Sequence, residues 1–309
     1  MTERRIVVEQ IVVLIIVGFI IGGFGGLLGI GGGTVMVPVL RLGFALEAVC
    51  ATATSLFTII FTSIGGTITH LRNKTCIPKL SICLGVGGAV TSSLGAYLGN
   101  ISPGWAVMFV AALIIFYSAS TMLRKALSLK PLEGSAGPSA SSHSALGTSA
   151  VAGTLGDVAP GLDSVASQDA AATPAAEDQQ VYDFSFKRGF GGLGIGLIAG
   201  LASGYVGVGG GFIMVPLMTA WLGVPMRKAS GTSLIAIMIL AIPGVATQMM
   251  LGNVDYTAGI CLAIGSIPGA MVGARFVKSI PERQLRFIFA GFLCFAGLML
   301  VLNELGVLG

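Results

Sequence analysis

The sequence predicts an all-α polytopic membrane protein made of two related halves, and three observations carry that reading. Charged residues make up only 10% of the 309 residues and hydrophobic ones 54%, where a soluble globular chain carries about 25% charge. Apolar runs of the length needed to cross a bilayer, about 18 residues or more, occur at 6–28, 80–98 and 105–123. A glycine motif and its surroundings occur twice in one register.

The repeat sets the order of elements. Gly26-Leu-Leu-Gly29-Ile-Gly31-Gly32-Gly33-Thr-Val-Met36-Val37-Pro38 returns, 178 residues later, as Gly204-Tyr-Val-Gly207-Val-Gly209-Gly210-Gly211-Phe-Ile-Met214-Val215-Pro216. At the same offset Ala51-Thr-Ala-Thr54-Ser55-Leu56 matches Ala229-Ser-Gly-Thr232-Ser233-Leu234, Gly95-Ala96 matches Gly273-Ala274, and Pro103 matches Pro281. A register kept over such distances indicates internal duplication. Each half begins with a glycine-broken segment, 6–46 and 189–224. Three spans follow, near 47–70, 79–99 and 104–123 in the first half and near 226–251, 254–277 and 283–302 in the second. The membrane repeats are thus 6–123 and 188–305. Arg4 and Arg5 before an apolar stretch resemble a secretory signal. No small-residue cleavage site follows, and the run continues into the repeated motif, so it reads as the first span.

Between the repeats, residues 124–187 change composition. From 128 to 183 the chain is dominated by Ala, Ser, Gly, Thr and Pro, and it carries Glu133, Asp157, Asp163, Asp169, Glu177, Asp178 and Asp183. Too little apolar bulk is present to form a core, so a disordered linker is expected, with His143 a solvated loop residue. The five cysteines, Cys50, Cys76, Cys83, Cys261 and Cys294, form no C-x-x-C pair, which argues against a zinc site or disulfide framework and for small apolar fillers.

A broken segment of this length exceeds one helix across a core of about 30 Å. A helical hairpin that crosses twice or dips and returns gives eight full spans, or up to ten helices. Either form gives each half an odd number of crossings and inverts the second half. Charge agrees. Inversion gathers Arg72, Lys74 and Lys79 with Arg275, Lys278, Arg283 and Arg286 on one side, together with the basic residues at the linker ends and Arg227 and Lys228. Only Arg4, Arg5 and Arg41 fall on the other. The positive-inside rule makes the basic side, and the linker, cytoplasmic in a bacterial inner membrane.

Glycine disfavours helix and tolerates positive φ. Freed backbone groups at membrane depth cost several kcal/mol each unless they line a cavity or lie buried in protein. Broken helices at matching places in inverted halves point to a transporter's binding site. The candidate substrate-binding residues are therefore Gly31, Gly32, Gly33 and Thr34 with Gly209, Gly210, Gly211 and Phe212, where new helices begin and N–H groups attract anions. Thr54, Ser55, Thr232 and Ser233 supply candidate hydroxyls; the competing reading makes them interhelical glue, as it makes the glycines packing spacers. The stretch Gly189-Phe-Gly191-Gly-Leu-Gly194 matches a dinucleotide fingerprint, but no strand precedes it. His70 and Gln248 fall near span ends and read as interface residues. Acids avoid the span interiors, which disfavours a cation carrier. No metal, cofactor or nucleic acid is implied, and no enzyme constellation is present; the coupling ion and oligomeric state stay open.

The doubled G-x-G-G-G-x-x-x-x-P, the A-T-A-T-S-L and A-S-G-T-S-L segments and Gly269-Ala-Met-Val-Gly273-Ala-Arg275 resemble the sulfite exporter TauE/SafE family of membrane transporters. The resemblance covers nearly the whole chain outside the linker. It implies about eight spans with a duplicated half, and transport of sulfite, sulfonates or other small sulfur-containing or organic anions. A secondary transporter of a small anion is the leading expectation. A passive anion channel and a non-transporting scaffold are the alternatives.

Overall fold

The computed structural model of the chain describes residues 2–128 and 186–304, with side chains placed for 9–128 and 189–302. The body of the sequence linker, His143 included, lies outside the described residues. The described residues form ten α-helices and no strand. The first half holds α1 Thr2–Leu28, α2 Gly33–Phe44, α3 Ala48–Arg72, α4 Pro78–Ile101 and α5 Gly104–Ser128. The second holds α6 Phe186–Val206, α7 Gly211–Trp221, α8 Met226–Met250, α9 Tyr256–Phe276 and α10 Glu282–Glu304. Helices α5 and α6 thus reach a few residues into the segment that composition assigns to the linker.

Eight of these helices are long and apolar enough to cross a membrane, and the protein is a polytopic membrane protein. The exceptions are α2 and α7, with 12 and 11 residues. At 1.5 Å per residue each spans little more than half of the hydrocarbon core. Each broken segment is therefore one full crossing followed by a short return helix. Pro38 and Pro216 sit inside the return helices rather than ending them.

Small residues set which helices touch. Gly18, Gly22 and Gly26 of α1 lie against Leu262, Ser266 and Ala270 of α9. Gly87, Gly95 and Gly99 of α4 lie against Leu193, Leu201 and Tyr205 of α6. The first helix of each half thus packs on the fourth helix of the other half, backbone against backbone, as small residues permit in lipid. Gly269 and Gly273 belong to this seam and face the carbonyls of Phe19 and Gly23. The fingerprint-like Gly189–Gly194 stretch lies within α6, where Gly192 faces Leu80.

The same contacts fix directions, because residue numbers rise together along both seams. Helices α1 and α9 run parallel, as do α4 and α6. Thr58 donates to Gly259 O at 3.3 Å and Thr62 to Ser266 Oγ at 2.7 Å, so α3 runs with α9. Gly88 meets Leu240 and Gly244 meets Ser92, so α8 runs with α4. Gly66 meets Leu234 while Gly244 also meets Leu56, so α3 and α8 are antiparallel. Helices α1, α3 and α9 point one way, and α4, α6 and α8 the other. The ends of α3 and α9 meet the starts of α4 and α8. Asn73 Nδ2 donates to Ala274 O at 3.3 Å, and Thr232 Oγ1 accepts from Ile77 N at 3.0 Å. Arg227 reaches Ile280 O at 2.8 Å. Arg72, Lys74, Lys79, Arg227, Lys228, Arg275 and Lys278 consequently share one end of the bundle.

Candidate functional site

Each break begins with a turn only glycine adopts cheaply. Gly29, Gly31 and Gly32 have φ of 75, 78 and 84°, and Gly207, Gly209 and Gly210 have 73, 88 and 66°. A side chain there costs roughly 1–2 kcal/mol per residue. In the first break the N–H groups of Gly29, Ile30 and Gly31 all turn to Gly25 O. The carbonyl of Gly26 then loses its helical partner, and His70 Nε2 meets it at 2.9 Å.

The two breaks meet. A β-carbon on Gly33 would lie 2.6 Å from Val208 O in the second break, and one on Gly211 would lie 2.5 Å from Gly29 O in the first. Ile59 packs against Gly31, Gly33 and Gly209, and Ile237 against Gly31 and Gly211. These isoleucines are equivalent residues at the midpoints of α3 and α8, which places the junction at mid-depth.

Donors gather there. The N–H groups of Gly32, Gly33 and Thr34, and of Gly210 and Phe212, have no acceptor among the described residues; the next turns close on Gly32 O and Gly210 O. The hydroxyls of Thr34, Ser55, Ser63, Thr67, Ser92 and Ser203 are buried without a partner. Ser63 Oγ lies beside Gly31, Ser203 lies beside Gly210, and Ser55 shares the α3 face of Ile59 and Ser63. Buried polar groups are normally paired, and an unpaired hydroxyl costs about 1–3 kcal/mol. Acids stay away: Glu47 and Asp255 flank the starts of α3 and α9, and Glu282 starts α10. The junction is therefore rich in donors and free of carboxylates, the chemistry an anion needs. Among the described residues no His, Cys, Asp and Glu cluster could hold a metal ion.

The expected hydroxyls divide. Ser55 lies at the junction unpaired. Ser233 Oγ donates to Gly29 O at 2.6 Å and ties α8 to the first break. Thr54 Oγ1 accepts from Asp255 N at 3.0 Å, as Thr232 accepts from Ile77 N at 3.0 Å. These two threonines hold matching loops of the opposite half. Phe212 is fully buried and is the counterpart of Thr34, so one break presents a hydroxyl where the other presents a ring.

Sequence reasoning missed Ser63, Thr67, Ser92 and Ser203. Their counterparts 178 residues away are Ala241, Val245, Ala270 and Gly25. Searching for matched residues hides polarity confined to one half. It also misplaced His70 and Gln248, which are buried rather than interfacial: Gln248 Nε2 donates to Ala96 O at 3.3 Å and its Oε1 accepts from Asn253 at 2.8 Å. Of the cysteines, Cys261 is buried and Cys294 exposed, and all five are free thiols.

A sequence profile described as sulfite exporter TauE/SafE matches residues 14–300, both breaks included. The probable membrane transporter protein YunE of Bacillus subtilis (strain 168) is 27% identical over 94% of this chain and 97% of its own length. The probable membrane transporter protein YdhB of the same organism is 26% identical over 93% of this chain and 99% of its own length. A probable membrane transporter protein of Methanocaldococcus jannaschii is 23% identical over 94% of each chain. No solved structure matches.

Proposed function

Because the chain belongs to the sulfite exporter TauE/SafE family, we propose that it is a secondary transporter of a small anion, sulfite, a sulfonate or a related oxyanion, in a bacterial inner membrane. One observation carries this reading: the junction of two broken helices at mid-depth, with free N–H groups on both sides and carboxylates on neither. The anion sits between the starts of α2 and α7 and draws on Gly32, Gly33, Thr34, Gly210 and Phe212 N–H, with Ser55, Ser63 and Ser203 as hydroxyl donors. The opposed directions of equivalent helices suit alternating access, in which one half rocks against the other around a central site. The basic end faces the cytoplasm by the positive-inside rule, and the linker with it.

Uptake into proteoliposomes tests the proposal. Labelled sulfite, thiosulfate, sulfoacetate and acetate are supplied with imposed pH, sodium or anion gradients. The expected result is saturable uptake of at least one sulfur oxyanion, driven above equilibrium by a gradient. Flux that never saturates and never accumulates makes the protein a channel. Absence of flux of every one of these anions from folded protein removes the transport reading for this substrate class.

A further inference from the structure

Among the described residues His70 is the one histidine, and it is fully buried in α3 against the first break. Both ring nitrogens are engaged. Nε2 lies 2.9 Å from Gly26 O, which only accepts, so Nε2 carries the hydrogen. Nδ1 lies 2.7 Å from Thr75 Oγ1. That hydroxyl has a second acceptor, the backbone oxygen of His70, at 3.3 Å. One hydroxyl proton thus has two places to go.

We propose that His70 is the proton-binding site through which proton movement is coupled to anion movement, an inference that rests on the transporter reading above. A proton arriving at the neutral ring adds to the Nδ1 lone pair. Thr75 then accepts from Nδ1–H, and its own hydroxyl hydrogen turns to His70 O. Release reverses the step. The bond from Nε2 to Gly26 O persists in both states, so the ring titrates without uncapping the break. The ring also touches the element that the site uses: Gly231 of α8 packs against Nδ1, one residue from Ser230, which packs on Gly29.

Charges around the ring explain why a proton and an anion would move together. Arg72 follows on α3, Lys74 and Cys76 lie in the next loop, and Lys79 begins α4. Arg227 and Lys228 lie in the first turn of α8, and Arg275 lies at the end of α9, beside the Asn73–Ala274 contact. Burial pushes the Cys76 thiol up, so it stays neutral. From α1 the described charge is Glu9, nearer the opposite end of the helix. The carboxylate on this side is Glu282, already engaged with Met226 N and Arg286. An added positive charge on His70 therefore meets like charges, and an anion at the junction supplies the balance.

The second half suggests the variant. The counterpart of His70 is Gln248, and that of Thr75 is Asn253, also a bonded pair. Glutamine donates but does not titrate, so H70Q keeps a cap for Gly26 O and removes the proton site. In proteoliposomes, an inward proton gradient should drive sulfoacetate or thiosulfate accumulation by wild type, about tenfold per pH unit for one-to-one coupling. H70Q should still equilibrate the anion but should not accumulate it. Accumulation by H70Q equal to wild type overturns the proposal. The chain contains two histidines, so H143Q leaves a single ring for nuclear magnetic resonance of ring-labelled protein in nanodiscs. At fixed pH the protonated fraction of that ring should rise when thiosulfate or sulfoacetate is added. A ring that stays neutral between about pH 5 and 8, with and without either anion, overturns the proposal even where H70Q fails to fold. A ring that titrates while no anion is moved by wild type keeps the proton site and removes the transport reading instead.

Discussion

A methyl group on Gly33 or on Gly211 is expected to abolish anion binding while leaving the protein folded. At Gly33 the new carbon collides with Ile59 Cδ1 and stands 2.6 Å from Val208 O; at Gly211 it stands 2.5 Å from Gly29 O and 2.7 Å from Ile237 Cδ1. The isoleucine ends can rotate, but the carbonyls belong to the opposite break and cannot. The two breaks must therefore move apart, which displaces the N–H groups that converge on the junction. Overpacking of this kind costs about 1–3 kcal/mol, and charged by that amount to binding the affinity falls roughly five- to 150-fold. Thermal unfolding in detergent, with and without sulfite, reads both effects. Each variant should unfold a few degrees lower than the parent and gain little from sulfite. Gly43→Ala is the control, because nothing lies within 4 Å of its added carbon. Variants that fold and keep the full sulfite stabilisation make the breaks packing devices.

Substitution in the seams between the halves is expected to act on the fold itself. A β-carbon on Gly200 of α6 falls on the Gly88 backbone of α4, and one on Gly265 of α9 falls on the Ile15 carbonyl of α1. Backbone cannot rotate out of the way, so two full-length helices must separate and forfeit van der Waals contact along the seam, the interaction that holds helices together in lipid. The loss is about 3 kcal/mol or more for each. Gly200→Ala and Gly265→Ala should each lower the unfolding temperature more than Gly33→Ala does, and the double variant should lose its monodisperse peak in detergent. Gly194→Ala on the same α6, with nothing within 4 Å, should match the parent. Unchanged unfolding temperatures for both seam variants would contradict the packing described.

The legible parts of the molecule were those written in composition and spacing. Apolar length marked the spans, and Gly29 to Gly33 with Gly207 to Gly211 marked the breaks within a residue of where α2 and α7 begin. What spacing could not reveal was partnership. Gly18, Gly22 and Gly26 announce a close approach, yet nothing in them names α9 rather than a neighbour in the same half. Thr54 and Thr232 were legible as a matched pair, but a hydroxyl that could face a ligand could equally hold a loop, and each accepts from a backbone N–H of the other half. His70 was hidden because its task, capping Gly26 O, exists only once Ile30 N turns to Gly25 O. Its counterpart Gln248 was the available signal, since both residues donate an N–H.

The location of the bound anion tests the central claim most directly. Selenite has the shape and charge of sulfite and scatters far more strongly than the light atoms around it. A structure of the protein with selenite should place it at mid-depth between Gly33 and Gly211, within about 3 Å of N–H groups from both breaks. Selenite ordered elsewhere in the bundle, against Arg275 and Lys278 at the basic end for example, with the two breaks still in contact, would contradict the account.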